Sequence, residues 1–172
     1  MRARLQVTSL CVLLLCSVLG FAADIQTDYD HHVDFSTYKT YSWLKVETPN
    51  SIWDDRVKDA VNKALTAKGL SQVPSGGDIG IVAVATTREK PTLQTFYDGF
   101  GGWYWQGFGN AITTVQTYKE GTLVVDMFDA NTKHLIWRGT ATDTLSGKPD
   151  KNTGKLDKAV EKMFSHFPPK RS

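Results

Sequence analysis

Cysteine is nearly missing from this 172-residue chain: the only two, Cys11 and Cys16, fall within the first 22 residues. Loss of that stretch leaves no disulfide, no thiol nucleophile and no thiolate metal ligand. Catalytic signatures are missing as well. There is no Gly-x-Ser-x-Gly elbow, no His-Glu-x-x-His pair and no phosphate loop. Charge of one sign is scarce: 20 Lys and Arg stand against 18 Asp and Glu, and the first 22 residues hold Arg2 and Arg4 but no acid. The remainder is formally neutral, which argues against nucleic-acid backbone binding, since that needs clustered positive charge.

What the amino terminus does contain is the layout of a cleavable export signal. Arg2 and Arg4 give a positive start, Leu10 to Leu19 an apolar run, and Gly20-Phe21-Ala22 a small-x-small end. The expectation is cleavage after Ala22 and a periplasmic or secreted product, made of residues 23–167 as one domain and a short tail over 168–172. An uncleaved anchor would need an apolar run of about twenty residues, roughly twice the length present. Lipidation at Cys16 would attach the product to a membrane, but it calls for a small residue where Leu15 stands.

The patterned segments alternate between two periods. Ile25 to Leu44 is rich in aromatic and β-branched residues and reads as two short strands, 25–30 and 39–44, around a turn at Asp34 to Thr37. Asn50 and Ser51 offer an N-cap, and Trp53, Val57, Ala60, Val61, Ala64 and Leu65 follow at helical spacing, so a helix is expected from Ile52 to Lys68 with Gly69 ending it. Ile79 to Thr86 is a near-continuous apolar run, expected to be a central strand buried on both faces, with Gly80 and Ala83 admitting close helices. Thr113 to Tyr118 is expected to be a further strand. Gly121 to Asp129 and His134 to Leu145 flank the turn Ala130-Asn131-Thr132-Lys133 as a hairpin, with Leu123, Val125, Met127, Leu135, Trp137, Gly139 and Ala141 on its core face. A last helix is expected from Gly154 to Phe167, stopped by Pro168-Pro169. Two amphipathic helices and five or six strands bury their faces most economically as an α+β two-layer sandwich, with both helices on one face of a mainly antiparallel sheet.

The runs Asp28-Tyr29-Asp30, Asp34 to Trp43, Ala67-Lys68-Gly69, Gly121 to Asp126 and Leu135 to Gly139 together resemble domain of unknown function family 4136. The resemblance extends from about Asp24 to Phe167. It implies a bacterial envelope protein, often lipoprotein-like, with an α+β fold and no established activity, catalytic residue or cofactor.

One segment stands apart from this regular pattern. Thr95 to Asn110 packs Phe96, Tyr97, Phe100, Trp103, Tyr104, Trp105 and Phe108 among five glycines, with Asp98 as its single charge. Such a loop either covers one end of the sheet or offers an interaction surface, because glycine gives freedom and aromatics give contact area. The partner-binding candidates are Phe100, Trp103, Tyr104, Trp105 and Phe108, and the partner class is an envelope protein or a cell-wall glycan. A glycan hydrolase would need Asp98 and a second carboxylate, for which Glu89 and Glu120 are nominal candidates. Asp28, Asp30, His32 and Asp34 alternate as a weak metal-ligand set would, although the turn at Asp34 breaks the shared face. His31, His134 and His166 read as surface residues. The expectation is therefore a non-enzymatic exported accessory domain without cofactor.

Overall fold

The computed structural model describes residues 23–97 and 111–169. Its elements run β1 (Asp24–Tyr29), a 3₁₀ turn (Phe35–Thr37), β2 (Thr40–Glu47), α1 (Ser51–Ala67), β3 (Ser71–Gln72), β4 (Ile79–Tyr97), β5 (Ala111–Asp129), β6 (Leu135–Thr144) and α2 (Pro149–Met163). The strands form one mixed sheet in the order β1-β6-β5-β4-β2-β3. Pairing is antiparallel from β1 through β4 and parallel from β4 to β2 and from β2 to β3.

Local chemistry explains where the helices begin and end. The Asn50 side chain accepts from the Trp53 amide and caps α1. At its other end Gly69 takes φ +86°, a conformation that any side chain would strain. Helix α2 begins five residues earlier than its apolar spacing indicates, with Pro149 in its first turn. Proline has no amide hydrogen to leave unpaired there and a φ already suited to the helix.

Both helices lie on one face of the sheet. Val57, Ala60, Val61 and Leu65 of α1 and Ala159, Val160 and Met163 of α2 are buried with Ile79, Ile81, Ala83, Leu123, Val125, Met127, Trp137 and Ala141 in one cluster. Trp137 stacks on Phe164 with ring centroids 4.8 Å apart, and Phe167 meets both rings edge-on at 5.7 and 5.8 Å. On α1, Asn62 Oδ1 accepts from Tyr41 Oη at 2.9 Å and Trp43 Nε1 at 3.0 Å, tying the helix to β2.

Five expectations need correction. β4 is covered on one face rather than two: Ile79, Ile81 and Ala83 are fully buried, whereas Val82 and Val84 are half-buried on the side without helices. Gly80 does not admit a helix, because an added Cβ would meet Leu44 Cδ1 at 2.5 Å on that opposite face. Leu135 leaves the core face at 39% exposure, since the register shifts between Met127 and Phe128 and Ile136 is buried instead. Thr113 to Tyr118 is not a separate strand but the first part of β5, continuous with Gly121 to Asp129. Its partner β4 likewise runs past Thr86 to Tyr97, taking Thr95, Phe96 and Tyr97 out of the expected loop.

Candidate functional site

The two longest strands outrun the sheet. β4 and β5 pair continuously from Ile79↔Asp129 to Tyr97↔Ala111. β2 accompanies β4 only as far as Val84, and β6 accompanies β5 only to Glu120↔Thr144 and the bond from the Leu145 amide to the Lys119 carbonyl. Beyond these points the chain is a two-stranded ribbon. At about 3.3 Å per residue, the span from Lys90 to Tyr97 is roughly 23 Å. The aromatic-glycine segment is therefore joined to the domain through this ribbon. Phe100, Trp103, Tyr104, Trp105 and Phe108, together with Asp98 and the lipidation candidate Cys16, lie outside the described residues.

Charge marks the base of the ribbon. Lys90 Nζ meets Glu120 Oε2 at 2.6 Å, and Lys119 approaches Glu89 at 4.0 Å. The register Glu89↔Lys119 and Arg88↔Glu120 puts Glu89 and Glu120 on opposite faces. Either carboxylate would have to act with Asp98, which lies outside the described residues.

An apolar groove opens beside this base, where the amino-terminal ends of α1 and α2 diverge over the sheet. Its volume is about 300 Å³, and Trp53, Val57, Leu123, Ala141, Leu156 and Ala159 are among the residues that line it. Lys155 at its edge donates to Asp143 Oδ1 at 3.1 Å and to the Thr144 carbonyl at 2.6 Å. Sequence reading missed this groove because it arises from small residues on separate elements, Ala85, Gly121, Ala141 and Ala159, whose shared omission of volume is visible only in register.

The weak metal candidates are not brought together. Asp28 Oδ1 accepts from the Tyr29 amide, while Asp30 Oδ1 accepts from the His32 amide and meets His32 Nδ1 at 3.1 Å. Asp34 caps the 3₁₀ turn. Among the described residues no three His, Cys, Asp or Glu side chains converge on a metal position.

Two other aspartates, unremarked in the sequence, organise the end of the sheet opposite the ribbon. Asp129 Oδ1 accepts from the Thr132 amide at 2.6 Å and the Asn131 amide at 2.9 Å, and its Oδ2 accepts from Tyr38 Oη at 2.8 Å. Asp78 Oδ2 accepts from the Lys39 and Thr40 amides and the Thr40 hydroxyl, each at 2.9 Å. The Thr132 amide first, then the Tyr38 hydroxyl, hold the Asp129 carboxyl down to about 2. The amides of Lys39 and Thr40 lower that of Asp78. Burial, and then the bond to Asp129, push Tyr38 up to about 12. Depressed carboxyl values in the fold stabilise it above the unfolded value of 3.8, and this contribution is lost as pH falls towards 2. The raised tyrosine acts in the other sense, stabilising the fold below its unfolded value of 10 and releasing that contribution as pH rises towards 12. Thermal melts across pH should therefore show the wild-type midpoint dropping between about pH 4 and 2. Asp129→Asn should melt lower at pH 7 and respond less to acid, and an equally steep acid response in that variant would refute the assignment.

The fold recurs in a protein of distant sequence. A PDZ domain protein from Parabacteroides distasonis superposes with a TM-score of 0.61 at 14% identity, covering 88% of this chain; the chain spans 37% of that protein's length. The PelC dodecamer from Paraburkholderia phytofirmans gives 0.48 at 12% identity over 81% of this chain and 96% of its own. Lipoprotein GNA1162 from Neisseria meningitidis gives 0.41 at 12% identity over 74% and 99%. No curated protein matches the sequence. The family described as domain of unknown function DUF4136 matches residues 25–169, nearly all of the domain whose sheet, helices and ribbon are set out above, and the chain belongs to that family.

Proposed function

We propose that this protein is an exported, non-enzymatic accessory domain of the bacterial envelope that contacts an envelope partner through its aromatic-glycine segment. The observation carrying this reading is the ribbon: β4 and β5 leave the two-layer core together, and the aromatic-glycine segment follows β4 and precedes β5 in the chain. Trp103, Tyr104 and Trp105 are the anchors, with Phe100 and Phe108 beside them, because large rigid aromatics dominate the energetics of contact surfaces. The amino-terminal layout of Arg2, Arg4 and Leu10 to Leu19 supports export. Among the described residues no helix is long and apolar enough to cross a membrane.

A photo-crosslinking residue in place of Trp105, activated in intact cells, tests the proposal. A discrete protein adduct is expected. The Trp103→Ala/Tyr104→Ala/Trp105→Ala variant should lose capture altogether, with a melting midpoint within about 2 °C of wild type. A glycan adduct would replace the protein partner with a sugar. No adduct from a folded, probe-bearing protein, or a collapse in stability of the triple variant, would overturn the reading in favour of a structural role.

A further inference from the structure

Among the described residues the ribbon has two free edges, and they are not equivalent. The Leu145 amide bonds the Lys119 carbonyl, and the Asp129 amide bonds the His134 carbonyl, so odd-numbered residues of β5 direct their backbone groups towards β6. The Ala130 amide bonds the Asp78 carbonyl, so even-numbered ones face β4. Where β6 has ended, Ala111, Thr113, Val115 and Thr117 consequently point N–H and C=O groups outward, and no described strand takes them. Each residue of β4 pairs with one of like parity on β5, so the outward groups of β4 also belong to odd-numbered residues. Glu89, Pro91, Leu93, Thr95 and Tyr97 direct theirs to the other free edge. Proline has no amide hydrogen, so Pro91 interrupts that edge, and the neighbouring Arg88, Glu89 and Lys90 add the charges that discourage strand addition.

The β5 edge has neither device. Ala111-Ile112-Thr113-Thr114-Val115-Gln116-Thr117 contains no charge, no proline and no glycine, and is rich in β-branched residues. A two-stranded ribbon in water is marginal alone and gains from a third strand. We infer that the β5 edge pairs antiparallel with the β5 edge of a second copy of this chain, around a two-fold axis at Val115. This register sets Val115 against Val115 and Thr113 against Thr117, using the outward groups of all three residues. The pairing stops at Lys119, whose carbonyl already accepts from Leu145. It opposes no pair of like charges, the condition a self-pairing strand must meet. The other edge could not do the same, because centring it on Leu93 would set Pro91 against Thr95 and lose a donor on each side of the axis.

Sedimentation of the full chain at micromolar concentration, with Cys11→Ser and Cys16→Ser to remove native thiols, tests this. A monomer–dimer equilibrium is expected. Val115→Pro, which removes one outward amide hydrogen and spares the bonds to β4, should weaken it by about tenfold or more. Leu93→Pro on the blocked edge should leave it unchanged. In the same background Val115→Cys should form an interchain disulfide on mild oxidation, and this decides the matter if Val115→Pro fails to fold. A wild-type monomer together with no cross-link in the Val115→Cys variant, or a dimer that persists in folded Val115→Pro, would overturn the inference. Neither outcome depends on capture of an envelope partner by the aromatic segment.

Discussion

Trp137→Ala is expected to remove about 3–5 kcal/mol of stability, the cost of emptying a large aromatic site. Trp137 is 3% exposed and lies between the sheet and α2, stacked on Phe164 and touched edge-on by Phe167. Its indole also closes over Gly139, where an added Cβ would meet Trp137 and Met163 side-chain atoms at 2.5 Å. The Phe164 and Phe167 rings are rigid, and of the neighbours named only the flexible Met163 side chain can shift towards the void. With typical domain stabilities of about 5–15 kcal/mol, this loss leaves the variant near the edge of folding. Urea titration followed by circular dichroism should show the midpoint fall steeply. Leu135→Ala, one residue away from Ile136 but outside the core, should change it by about 1 kcal/mol or less. Equal losses in the two variants would mean that the α2-side aromatic cluster is not what holds helix to sheet.

Excising most of the ribbon should do the opposite. Replacing residues 91–117 by Asn-Gly joins Lys90 to Tyr118, a pair whose backbone groups face each other, through a turn suited to antiparallel strands and preserves every sheet pair from Ile79↔Asp129 to Lys90↔Tyr118. None of the residues in the buried cluster falls within the excised span. The shortened protein should melt within about 5 °C of wild type, the range of a 1–2 kcal/mol change in a domain of this size, while losing partner capture and self-association together. Unfolding of the shortened protein would show that the excised residues complete the core, and the accessory-domain reading would fail with it.

The fold was largely legible because its signals are local. The 3.6-residue spacing from Trp53 to Leu65 and the hairpin turn at Ala130 to Lys133 each announce their element, and Gly69 and Lys133 take the positive φ that such endings demand. The shape of the ribbon was not legible, because Arg88 to Pro91 and Lys119 to Gly121 carry charge, proline and glycine that punctuate strands in most sequences. Here they mark the place where a strand leaves its neighbours without ending. The one-sided burial of β4 was hidden for a related reason: an apolar run cannot say whether its second face meets a helix or only Leu44. Of the candidate residues, the aromatic-glycine segment stands out by composition alone and lies outside the described residues, whereas the groove at Trp53 and Leu156 and the Asp129–Tyr38 bond join residues far apart in the chain and have no sequence signature.

The strand order has a consequence for how the molecule comes into being. Among the described residues, the first strand in chain order, Asp24–Tyr29, has as its only strand neighbour the last, Leu135–Thr144. Until more than a hundred further residues have followed it, that opening segment has nowhere to dock. Two strands far apart in the sequence are thus stitched together late, and a chain emerging amino-terminus first keeps Asp24–Tyr29 available to chaperones until β6 is in place to pair with it.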